Sequence, residues 1–276
     1  MPAVTATPRS ARGPQPSRGP LHRHADVLRS EFCKLATVRS TYWALLTAAL
    51  SNIVLAALLA IFLPGHLSAH DKATIDSTRA SLGGLHLSQV AFGVLGVLVI
   101  TSEYGTGMIR ATLAAVPQRR LVLAAKTNVF AVTALVVGVA SCFAAYLAFQ
   151  AFLPPGDAMR TSLTDPGVLR AVAGAGLYLT VLGLLGLGIG AIIRSSAGAI
   201  ATLLGVLFVP TLIVTLLPQS WQDSIGPYLP MNTGETIITV HHQAHTLQPW
   251  PGFGVFCLYA AAALTAGFIL ITRRDA

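Results

Sequence analysis

The sequence predicts an all-α, polytopic integral membrane protein: six transmembrane helices, cytoplasmic N- and C-termini, and an amphipathic interfacial helix ahead of the first span. Three observations carry this. Of 276 residues, 54% are hydrophobic and 10% charged, against roughly a quarter charged in an ordinary soluble domain. Six apolar stretches reach the length of about 20 residues that a helix needs to cross a hydrocarbon core of about 30 Å. The formal charge of +8, from 18 Lys+Arg against 10 Asp+Glu, falls unevenly on the segments between those stretches. A mean hydropathy of +0.68 means more apolar side chains than one core of this size can hide, so the outer surface faces lipid.

Residues 1–25 read as a disordered basic cytoplasmic tail. They hold Pro2, Pro8, Pro14, Pro16 and Pro20 among Arg9, Arg12, Arg18 and Arg23, without the apolar run of a secretory signal. Residues 26–40 read as the interfacial helix. Leu28, Phe32 and Leu35 recur at i, i+4, i+7, flanked by Val27 and Val38, while Asp26, Arg29, Ser30, Cys33, Lys34 and Thr37 take the opposite arc. Such a helix lies in the membrane surface with its basic face toward water and headgroups; a generic anchor is the plainer alternative.

Residues 41–276 form the six-helix domain, with spans at about 41–63, 83–102, 124–153, 170–193, 196–217 and 252–271. None carries Asp, Glu, Lys or Arg well inside; Glu103, Lys126 and Arg170 lie at edges. Pro64-Gly65, Pro154-Pro155-Gly156, Asp165-Pro166-Gly167 and a last loop with five prolines mark the exits from lipid. Six spans put both termini on one side, and the positive-inside bias selects it. The side of the termini holds 14 Lys and Arg against 4 Asp and Glu, the other side 4 against 6, or +10 and −2. The cationic excess is therefore an orientation signal toward the cytoplasm of a cell-membrane, multi-pass protein, and no nucleic acid is needed to explain it.

The segment between the second and third spans is more ordered than a loop requires. Gly105 and Gly107 permit a sharp turn, Ile109, Leu113 and Val116 recur at i, i+4, i+7, and Pro117 stops the short helix. Glu103 and Arg110 are opposite charges about two turns apart, suited to engaging another protein; a solvated charge cluster is the plain reading.

Four stretches resemble the permeases of ABC-2-type ABC transporters, especially actinobacterial ones. Arg29-Ser30-Glu31-Phe32 with Lys34 looks like that family's amphipathic helix before the first span. Glu103-Tyr104, Gly107, Arg110, Thr112-Leu113, Pro117 and Arg119-Arg120 through Lys126 look like its ATPase-coupling loop. Ile192-Ile193-Arg194-Ser195-Ser196-Ala197-Gly198-Ala199 with Pro210 is similar to its turn between spans four and five, and Tyr228-Leu229-Pro230 with Gly234 to the segment before the last span. The likeness runs from about residue 26 onward; Gly105 stands where many relatives carry a larger polar residue. It implies a transport subunit, an exporter by family inference. The implied partners are a separate ABC ATPase carrying ATP and Mg and a second permease copy or paralogue. The residues it assigns to coupling are Glu103, Tyr104, Gly107, Arg110, Arg119 and Arg120, with Arg29, Glu31, Phe32 and Lys34 on the interfacial helix.

The residues alone agree that power comes from elsewhere. Lys34, Lys72 and Lys126 follow Cys33, Asp71 and Ala125, so no Gly-x-x-x-x-Gly-Lys-Ser/Thr phosphate loop exists. Nor do the spans offer intramembrane ionisable groups of the kind a proton- or ion-coupled transporter uses. A secondary transporter and a non-transporting scaffold or sensor remain the alternatives. His241, His242 and His245 read as a solvated loop, since the zinc-protease spacing would need Glu beside the first histidine. No nucleophile and base pattern points to an enzyme. Gly186 and Gly190 form a G-x-x-x-G pair in the fourth span that reads as close packing within the bundle, with a dimer seam as the alternative.

Overall fold

The computed structural model describes residues 27–34, 39–115, 118–240 and 246–273. Among them the chain is all-helical. Residues 27–34 form α1, followed by α2 (Arg39–His66), α3 (Ala69–Thr74), α4 (Ser77–Ser81), α5 (Leu85–Gly105) and α6 (Met108–Ala115). Then come α7 (Arg119–Phe152), α8 (Val168–Ile193), α9 (Ser196–Thr215), α10 (Gln219–Ile225), α11 (Pro230–Glu235) and α12 (Pro249–Arg273). Six of these, α2, α5, α7, α8, α9 and α12, are long and apolar enough to cross a membrane.

The six match the expected spans in number and order and differ at their ends. Helix α7 opens at Arg119 rather than 124, so Lys126 lies about two turns inside it. Hydrophobicity locates where a helix meets lipid, and the helix itself starts earlier, at Arg119-Arg120, with no side-chain cap from Gln118 and no acidic residue in its first turn. Helix α12 opens at Pro249, a residue whose missing N–H costs nothing in a first turn. Helix α2 continues through Pro64 to His66, where the Pro-Gly pair had been expected to end it.

Helix α8 is the axis of the bundle, with 72% of its most apolar window buried, and α5, α7, α9 and α12 pack around it. Small residues set those distances. A Cβ on Gly96 of α5 would collide with the Gly183 carbonyl of α8, and one on Gly186 with the Gly93 carbonyl; Gly188 faces Ala263 of α12. Lipid does not drive apolar helices together, so backbones close enough for dispersion contact supply much of the association. Gly186 and Gly190 both sit against α5, as the packing reading of the G-x-x-x-G pair expects. Helices α2, α9 and α12 leave most of their surface uncovered, 17% of the α9 window being buried.

The two ends of the bundle are held by different contacts. At the terminal end, α1 meets the end of α5 and the start of α7. There Arg119 Nη1 donates to the Ile271 carbonyl (3.3 Å) and Arg194 Nη2 to the Leu270 carbonyl (3.3 Å), so both ends of the described chain gather together. At the distal end, Lys72 pairs with Asp157 (2.8 Å) and Arg79 with Glu235 (3.0 Å). Arg170 holds the segment after α11 by donating to the Ile237 and Thr239 carbonyls.

Candidate functional site

At the terminal end four side chains close a ring of ion pairs. Lys34 Nζ lies 2.7 Å from Glu31 Oε1 and 3.1 Å from Glu103 Oε1. Lys126 Nζ lies 2.7 Å from both Glu31 Oε2 and Glu103 Oε1. Glu31 and Lys34 are an i, i+3 pair on α1, Glu103 comes from the last turns of α5, and Lys126 from α7. Glu31 is 4% exposed, Lys126 3% and Glu103 6%. Charges buried this far persist only when paired, and here two acids and two bases cancel. Glu103 Oε2 has no hydrogen-bond partner. Burial works against the Lys34 cation, but its hydrogen bond to Glu31 and the nearby Glu103 carboxylate outweigh that and hold its pKa above the ordinary lysine value.

The ring brackets the loop that the sequence singles out. The Thr106 N–H donates to the Ser102 carbonyl (3.1 Å) to finish α5. Gly107 then takes φ +72°, and a Cβ there would meet nothing within 4 Å. Conformation, and not space, is what requires glycine at 107. Helix α6 follows, with Ile109 buried and Met108 and Arg110 exposed. The Leu113 side chain, Val116 and Pro117 lie outside the described residues.

Beside the loop, the Arg194 guanidinium carbon sits 5.1 Å from the centroid of the Tyr104 ring. Arg194 closes α8 at φ 60°, a left-handed conformation uncommon outside glycine. Its contacts with Tyr104 and the Leu270 carbonyl tie the ends of α5, α8 and α12 together.

The structure therefore divides the expected site residues. Glu103, Glu31 and Lys34 join the ring, Tyr104 lies under Arg194, and Gly107 makes the turn. Arg29, Arg110 and Arg120 are exposed, Arg119 partly so. Glu103 faces inward to two lysines while Arg110 faces out. On α1, Leu28 and Phe32 are exposed, Phe32 at 58%, whereas Val27 and Glu31 are the buried positions. Leu35, Thr37 and Val38 lie outside the described residues, as do the tail and His241, His242 and His245.

The contact between Glu31 and Lys126, 95 residues apart, is the feature that sequence reasoning missed. A signal was present: Lys126, Glu103 and Glu31 each border an apolar run at the same end of the bundle. Charges of opposite sign at one membrane depth have strong reason to meet. Among the described residues no group of three or more His, Cys, Asp or Glu could hold a metal. No protein-family model matches the chain, and no curated protein matches it.

Proposed function

We propose that this chain is the permease subunit of an ATP-driven ABC-2-type transporter, working in the cell membrane as an exporter with a separate ATPase. Its terminal end faces the cytoplasm, and α1 lies in the membrane surface with Leu28 and Phe32 in lipid. A second copy or paralogue completes the translocation path, and ATP and Mg are bound by the ATPase.

The observation that carries this reading is the buried ring beneath an exposed helical loop. Helix α6 and Arg110 project where a partner could grip them, and both flanks of that loop are fixed: Glu103 before it and Lys126 after it are locked to α1. A push on α6 or α1 is therefore passed to α5 and α7 together instead of being absorbed by a slack turn. The distribution of charge, +10 against −2 across the bundle, supports the orientation through the positive-inside bias. The motif resemblance supports the family.

Arg110→Ala tests the proposal cleanly because the side chain is exposed and outside the ring. Stability should change by no more than about 0.5 kcal/mol, while transport and the partner's ATP hydrolysis in reconstituted vesicles uncouple. Full coupling at normal expression would reject the role of the loop. Transport that runs on a cation gradient and ignores vanadate would favour a secondary transporter instead.

A further inference from the structure

At the distal end a cavity of about 320 Å³ lies between α4, α10, α11 and the segment that follows α11, at the lower end of the range of about 300–1,000 Å³ for small-molecule sites. Its three carboxamides turn their donors into the protein. Gln222 Nε2 donates to the Leu217 (2.8 Å) and Thr215 (3.4 Å) carbonyls around the end of α9, and Asn232 Nδ2 to the Gly226 carbonyl (2.8 Å). Gln219 Nε2 donates to Asp223 Oδ1 (2.9 Å). The hydroxyls of Thr236 and Thr239 likewise donate to backbone carbonyls. With an amide nitrogen held in this way, the other end of the group is its acceptor oxygen. Among the described residues no group donates to Gln222 Oε1, Asn232 Oδ1 or Asp223 Oδ2, and none of these three oxygens is closed off from solvent. All three residues line the cavity, so it offers open acceptors whose orientation is set before a ligand arrives.

Charge narrows the choice. Arg79 Nη2 lies 3.0 Å from Glu235 Oε2, so that pair cancels, and His86 faces the other Glu235 oxygen from outside the lining. Behind the wall Arg170 donates to the Thr239 carbonyl and Asp76 accepts from the next N–H, that of Val240, which sets a second cation against a second anion. Asp223 is the charge left over in the described lining, and its partner Gln219 is neutral. An anion would meet acceptors and a carboxylate. A sugar hydroxyl that needs a donor would find the amide and hydroxyl groups turned away. Calcium takes six to eight oxygens, usually with several carboxylates, and one uncommitted carboxylate is present. A cation rich in N–H groups matches both the charge and the acceptors.

We propose that this distal cavity binds a small organic cation bearing several N–H donors, such as an alkylguanidinium, paired with Asp223 Oδ2 and donating to Gln222 Oε1 and Asn232 Oδ1. The site stands apart from the transport role and does not need the ATPase.

The probe is radiolabelled butylguanidinium, dialysed to equilibrium against the unaltered protein in phosphatidylcholine nanodiscs, with empty nanodiscs as the blank. Saturable binding is expected. Unlabelled butylguanidinium should compete at least about tenfold better than butyltrimethylammonium, which keeps the charge and chain but has no N–H. Asp223→Asn keeps an oxygen for Gln219 and removes the charge, and should weaken binding about tenfold or more. Asp165→Asn, at an exposed acid of the same end outside the cavity, should change it by less than about twofold, because salt screens exposed charges. Absence of saturable binding, equal competition by butyltrimethylammonium or by butyrate, or equal losses in the two variants would each overturn the site. Tighter competition by calcium than by butylguanidinium would assign the oxygens to a metal ion and overturn the organic ligand. The comparison of competitors involves no substitution, so it decides even if a variant fails to fold.

Discussion

Glu31 and Lys126 show how much a single contact decides here. Each is nearly inaccessible, and removing either leaves a buried opposite charge short of a partner, at a cost of about 3–5 kcal/mol. Lys126→Met and Glu31→Leu should therefore each destabilise strongly in denaturant titrations. The double variant keeps the Lys34–Glu103 pair, and its cost should fall short of the sum by about 0.5–3 kcal/mol; strict additivity would break the ring as an energetic unit. The ring also changes what Glu103 can report. Glu103→Ala should disturb the fold at this end, because it removes a buried carboxylate that pairs with two lysines, so only the exposed Arg110→Ala would separate the proposed coupling from stability. At the distal end, the Lys72 hydrogen bond and the Met159 N–H hold the Asp157 carboxyl below the usual aspartate pKa. A depressed folded pKa gives stability that is complete above the unfolded value of about 3.9 and is lost as pH falls through the folded one. Asp157→Asn should accordingly flatten the acid limb of a melting-temperature profile below about pH 4 and leave the neutral region parallel to the parent.

Element by element, the long helices were readable and their partners were not. Apolar length identifies six spans because lipid leaves the backbone no alternative to internal hydrogen bonds. The same uniform hydrophobicity hides which side of each helix faces protein. Position 31 illustrates the limit: an acidic residue between Ser30 and Phe32 on an amphipathic helix suggests water, and its pairing with Lys126 turns it inward. Glycine gives firmer information, since Gly183, Gly186, Gly188 and Gly190 mark α8 as the helix others approach closely. The seam between α5 and α8 makes a sharp prediction. On an exposed helix Gly→Ala gains about 1 kcal/mol in propensity, but at Gly96 the new Cβ strikes the Gly183 backbone. Gly96→Ala should lose about 1–3 kcal/mol in the same denaturant titration, whereas Gly254→Ala, with nothing within 4 Å, should be neutral or stabilising. A neutral Gly96→Ala would contradict the close approach of the two backbones.

At the scale of the whole molecule, the hydrophobic share and the charge that stand together in the composition separate onto different parts of the bundle. The apolar residues build six long helices with α8 at their centre, and among the described residues most of the cationic excess collects at the end where α1 and the close of α12 lie. There Lys34 and Lys126 turn inward to the ring with Glu31 and Glu103 while Arg29, Arg110 and Arg120 stay outside. That division is what a membrane subunit driven by a partner would require: a rigid end that transmits force and an exposed set of cations that receives it. The most direct test places a photoreactive amino acid at Arg110 in one variant and at Trp221, on the distal end, in another, and irradiates the protein in its own source membranes. Our account predicts a cross-link from position 110 to a P-loop ATPase and none from position 221. No ATPase adduct from 110, or equal adducts from both positions, would contradict it.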